Sequence, residues 1–270
     1  MVAYFKKQNN LFMLLGAALG FAVAFLFFEQ LTASVPGYFK VFFLLMPGIL
    51  GLVLGRIYAG LWAKKKLQGY TELLYVRAEA AEFLKVFEPI VMRTPKHTID
   101  YVDGCNKLAY AHEALGQFEE ALALVQQLKP EELKHHTLGG MAITCNQQMR
   151  LLLLQGNVEQ ALEVLQQLRN IAEVAAVRAP ALGRNTNECI RLYENWLAVL
   201  NEQPTDEAYL EEEIQLSRNR IHKSEIQLVL AQAFENRGEM ALADELRMDV
   251  LSTGKGLWTE RKARELLAIH

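Results

Sequence analysis

The residue types that do covalent, metal or phosphate chemistry are all present in this sequence, but not at the spacings such chemistry needs. Cys105, Cys145 and Cys189 form no CxxC pair and no Cys/His ligand cluster. Three widely spaced cysteines make no disulfide framework, and they read as reduced thiols packing as small hydrophobes. His135-His136 lies in a polar connector with no carboxylate or thiolate partner. Thr253-Gly254-Lys255-Gly256 contains a Gly-Lys step, but a phosphate loop needs GxxxxGK followed by Ser or Thr, and here Gly256 follows. No HExxH occurs, and no acid–base pair stands at a recognisable spacing. The expectation is therefore not an enzyme, with no metal and no cofactor.

One ionisable side chain, Arg56, falls inside an apolar stretch, which directs attention to what carries it. Residues 11–28 are 18 uncharged residues, about 27 Å of helix and close to the hydrocarbon thickness of a bilayer. Residues 41–62 form a second apolar run of about 33 Å, with Arg56 snorkelling and Tyr58 and Trp62 at headgroup level. Pro36-Gly37 breaks the chain between them, and Pro47-Gly48 kinks the second run. The expected anchor is a hairpin: segment 1–10, a first transmembrane helix 11–28, a loop 29–40 and a second helix 41–62. Lys6, Lys7 and Lys64–Lys66 flank the outer ends and only Lys40 lies in the loop. That asymmetry predicts a multi-pass protein of the cell membrane with both termini cytoplasmic. Each run carries a GxxxG, Gly16–Gly20 and Gly51–Gly55. Four-residue spacing sets both glycines on one face, for packing inside the hairpin or for dimerisation.

Charge divides at the same place. Residues 1–66 hold seven Lys or Arg and one Glu, leaving 21 basic and 30 acidic residues for 67–270, a balance of −9. So acidic a domain does not fit nucleic acid, whose phosphates need a basic surface.

The second half repeats itself. Residues 105–128 and 145–168 align at an offset of 40, sharing Cys-Asn, Gly, Ala-Leu and a final Gln-Gln-Leu, and 227–250 gives a third match. The shared features are a helix, a turn glycine (Gly116, Gly156, Gly238) and an alanine five residues later (Ala121, Ala161, Ala243). Glycine supplies the left-handed turn, and the small alanine lets the second helix close on the first. Residues 186–217 fit as a further unit with no turn glycine, and 67–100 reads as a juxtamembrane helical stalk ahead of a repeat domain at 101–270.

This pattern resembles the tetratricopeptide repeat family, with a period near 40 instead of the family's usual 34. The resemblance implies an all-α fold: two transmembrane helices, then an α-solenoid of helical hairpins stacked on one another. It also implies a concave groove lined by the first helix of each repeat. In this sequence that groove takes Asp103, Asn106, Tyr110 and Glu113, then Asn146 and Arg150, then Gln232 and Glu235. Asparagine amides there can hold a peptide backbone, and Arg150 can pair with a carboxylate. The function expected is a membrane-anchored scaffold or adaptor binding a protein or peptide on the cytoplasmic side. The alternative is a structural or assembly subunit acting through self-association, a homo-oligomer.

Overall fold

The computed structural model describes residues 5–32, 37–133 and 135–268, and every regular element among them is helical. The chain divides into two compact units, Met1–Tyr70 and Thr71–His270.

The first unit holds α1 (Lys6–Thr32) and most of α2 (Gly37–Thr71). Both outrun the apolar segments read from the sequence, so the expected loop 29–40 shrinks to residues 33–36, which lie outside the described residues. Gln8–Phe27 and Leu45–Val76 are long and apolar enough to cross a membrane. Only 6% of the first window and 22% of the second are buried inside the protein. Leu14, Leu19, Phe25 and Leu26 on α1 and Ile49, Leu54, Ile57 and Leu61 on α2 point outward.

What holds α1 to α2 is the absence of side chains. A Cβ on Gly16 would strike the Gly51 carbonyl, one on Gly20 the Pro47 carbonyl, one on Gly51 the Gly16 carbonyl, and one on Gly55 the Phe12 carbonyl. The four GxxxG glycines are thus consumed within the hairpin, where backbones touch. Buried alanines continue the four-residue ladder, Ala24 on α1 and Ala59 and Ala63 on α2. At one end Phe12 packs edge-on against Tyr58 at 5.1 Å, and Phe5 against Trp62 at 5.2 Å.

Of the segment 67–100 expected as a stalk, residues 67–71 finish α2 and the remainder packs against later helices of the second unit. After α2 a single π turn (Glu72–Val76) and Ala78 at φ 57° break the helix. α3 (Ala80–Val91) then packs on α4 (Ile99–Ala114) through buried Phe83, Phe87 and Val91. α3 passes Pro89 by two residues before ending. Thr98 caps α4, its hydroxyl accepting from the Tyr101 amide at 3.2 Å.

The hairpins follow: α4 with α5 (Phe118–Gln126), and α6 (Thr137–Leu154) with α7 (Val158–Arg178). Next come α8 (Pro180–Leu200) and α9 (Glu207–Leu216), then α10 (Arg220–Asn236) with α11 (Met240–Thr253), and last α12 (Trp258–Ala268). Gly116, Gly156 and Gly238 are left-handed at φ 78°, 68° and 79°. Each donates to the carbonyl three back, and the next residue to the carbonyl five back, a Schellman ending. Residues 186–217, where no turn glycine stands, make the same two bonds with Glu202 at φ 55°.

Ala121, Ala161 and Ala243 are fully buried where their two helices close. The equivalent residue after Glu202 is Glu207, which cannot be buried there. Accordingly α9 packs chiefly on α10 and reaches α8 through a longer side chain, the Tyr209 ring lying 4.0 Å from the Arg191 guanidinium. One apolar core runs through α6 to α11, with Met149, Leu168, Tyr193, Leu210 and Ile226 at its centre.

The array does not stay open. α12 packs on α11 and also on α4. Trp258 meets Phe118 edge-on at 5.4 Å, and Arg261 Nη2 donates to the Leu115 carbonyl at 2.7 Å, beside the first turn glycine. The last helix therefore closes onto the first hairpin.

Candidate functional site

α4, α6 and α10 each turn a polar stripe inward where 3.6-residue periodicity calls for apolar side chains. On α4 the stripe is Asn106, Tyr110 and Glu113; on α6 it is Gln147 and Arg150; on α10 it is Glu225, between buried Ile221 and Val229. The stripes meet. Arg150 Nη2 donates to Glu113 Oε1 at 2.7 Å and also to Glu225 Oε2, and Gln147 Nε2 donates to Glu113 Oε2. The guanidinium carbon lies 4.4 Å from the Tyr110 ring centroid. Arg150 keeps its charge although burial opposes it, because Glu113 and Glu225 flank it.

Two carboxylates share one guanidinium, and the surplus acid sits at Glu225. Burial, with Glu113 alongside, pushes the Glu225 carboxyl well above the usual carboxylate range against the pull of Arg150. Its Oε1 is buried with no hydrogen-bond partner.

In front of this cluster opens a cleft of about 310 Å³, lined by Tyr75, Asp103, Asn106, Lys107, Tyr110, Ile143, Asn146, Gln147, Arg150 and Asn219. Two asparagines, at equivalent positions of successive hairpins, face it in opposite senses. Asn106 Nδ2 donates to the Val102 carbonyl at 2.8 Å, which leaves Oδ1 as an acceptor, buried and unpartnered. Asn146 Oδ1 accepts the Tyr193 hydroxyl at 2.6 Å, which leaves Nδ2 as the donor. Asn219 Nδ2 donates to the Tyr110 hydroxyl at 2.8 Å, and the Tyr75 ring packs 5.2 Å from that of Tyr110. Burial drives the phenols of Tyr75, Tyr110 and Tyr193 well above their ordinary value, so all three stay protonated. At the wall Lys107 pairs with Asp103.

Five of the eight expected groove residues, Asp103, Asn106, Tyr110, Asn146 and Arg150, thus line one cleft; Glu113 is bound to Arg150, and Gln232 and Glu235 lie elsewhere. Glu235 instead pairs with the wholly buried Arg247, which also binds Asp244 at 3.0 Å and ties α10 to α11. Gln232 bonds Asn236 on its own helix at 2.9 Å. Arg150 is committed to two internal carboxylates, so the expected role of pairing with a partner's carboxylate does not fit its surroundings. Tyr75, Asn219 and Glu225 were not legible as site residues; a charged residue on the inward stripe Ile221–Glu225–Val229 was the available signal.

The other chemical candidates sit apart. Burial raises the thiols of Cys105, Cys145 and Cys189, which disfavours the reactive thiolate. His135 and His136 are exposed. Thr253–Gly256 forms the α11–α12 turn, where the Gly256 amide is bound by Glu260 at 2.8 Å. Among the described residues no group of three His, Cys, Asp or Glu could hold a metal ion. Compared with family models, curated proteins and solved structures, the chain matches none.

Proposed function

We propose that this protein is a membrane-anchored adaptor whose tetratricopeptide-like helical unit receives a short segment of a protein partner in the α4–α6 cleft. The observation that carries the proposal is the fixed pair Asn106 and Asn146. One presents an acceptor and the other a donor, each held by an internal bond, and a peptide group needs one of each. With α10 and α12 folded across the inner face, a volume of about 310 Å³ suits one or two residues and not a long extended peptide.

Membrane anchoring is supported by two apolar helices whose large side chains face outward. The Lys distribution favours both ends of the hairpin in the cytoplasm of a cell. The alternative, self-association through the glycine faces, loses its main support because those glycines are occupied within the hairpin.

Two experiments test the reading. In intact cells an impermeant maleimide should label Gln30→Cys and leave Lys65→Cys unlabelled until the membrane is opened; the reverse pattern would invert the topology. In-cell crosslinking should capture a partner with the wild type that is lost in Asn106→Ala/Asn146→Ala, provided the variant keeps its helical melting transition. A partner retained in full by that variant would remove the cleft from the proposal.

A further inference from the structure

We propose that the α4–α6 cleft selects a protonated primary amine, the side chain of a lysine on the partner segment; this rests on the reading of the cleft as a binding site.

Two acceptors of the cleft are left without a donor of their own. Asn106 Oδ1 is buried and unpartnered, and its orientation is locked by the bond to Val102. Gln147 spends its amino group on Glu113, leaving its carbonyl oxygen without a partner among the described residues. The Asp103 carboxylate completes a third acceptor on the same lining. An ammonium carries three donors and no acceptor, which matches that set. The partly exposed Tyr75 ring on the lining adds a π face that attracts a cation, as the Tyr110 ring already holds Arg150.

Charge points the same way. Arg150, which would otherwise invite an anion, is already engaged by Glu113 and Glu225. A carboxylate entering the cleft would face the Glu113 carboxylate behind Arg150 and Asp103 beside it. Lys107 already shows which charge the wall accepts, since its own ammonium lies on Asp103. It reaches there as an i,i+4 neighbour, a part-buried contact at the cleft wall that an incoming ammonium can replace.

The test uses the full chain in detergent micelles and ligand-observed NMR titration. The probes are three blocked pentapeptides with lysine, norleucine or glutamate at the centre of a glycine frame. The lysine peptide should bind about tenfold or more tighter than the norleucine peptide, the scale of hydrogen bonds to a charged group, and the glutamate peptide should bind weakest. Asp103→Asn should erase most of that preference, whereas Lys107→Met, at a partly exposed site that tolerates the change, should strengthen it. Equal binding of lysine and norleucine peptides would overturn the amine while leaving the cleft as a site. No binding by any of the three up to millimolar concentration would overturn both.

Discussion

Arg150 on α6 and Glu113 on α4 meet at 2.7 Å, the carboxylate wholly buried. With Glu225 on the other side, one guanidinium ties three helices that lie 37 and 75 residues apart in the chain. Removing the cation leaves two buried acids facing each other. Arg150→Met should therefore destabilise the helical unit by about 3–5 kcal/mol, the scale for breaking a buried ion pair from one side. Urea denaturation followed by circular dichroism would show this as a lower midpoint. A midpoint within experimental error of wild type would mean that the cluster is not what holds the three helices together.

Glu225 gives the unit a pH dependence of definite sign. Its folded carboxyl titrates above the free value of 4.5, so the native state holds the extra proton. The stability tied to that proton is full below pH 4.5 and drains as pH rises through the folded value. Glu225→Gln keeps the shape without the charge. The melting temperature of the variant minus that of wild type should grow more positive as pH is raised from 4.5, and a flat difference would contradict the assignment.

The left-handed Glu202 invites a reciprocal swap. A side chain at that backbone conformation costs about 1 kcal/mol, so Glu202→Gly should raise the melting temperature. Gly238→Glu should lower it by a similar amount, because a Cβ there meets no atom within 4 Å and only backbone strain is added. Opposite shifts in thermal melts would confirm that the four turns are equivalent.

Within the hairpin, Gly16→Leu should separate α1 from α2, whereas Gly60→Leu, where a Cβ meets nothing within 4 Å, should not. In a background without native cysteines, the Phe12→Cys/Tyr58→Cys pair should oxidise readily with Gly60→Leu and poorly with Gly16→Leu. Equal oxidation in both would show that the glycine seam is not the contact.

The helical class and the turns were legible because they depend on local chemistry: apolar runs of membrane length, glycines before helices, alanines five residues on. The third pair was harder to see, since Glu202 adopts a conformation that composition does not announce and Glu207 keeps α9 from closing on α8. The site was half legible. Asn106 and Asn146 recur at one repeat position and line one cleft, but Arg150 looked free because its partners come from other hairpins. Glu235 was placed in the groove because its partner Arg247 lies across its own hairpin, on α11, where spacing along α10 gives no sign of it. Periodicity reports which face of a helix turns inward. It does not report which helix arrives to meet that face, and α10 and α12 cross ground that an open superhelix would leave bare.

That crossing has an evolutionary consequence. A stack with a free end lengthens easily by duplication, because a new unit touches only the old terminus. Here Trp258 and Arg261 hold the turn of the first hairpin, so an inserted unit would pull them out of register. Growth by duplication would therefore break the contacts that close the unit, a cost that an open stack does not meet.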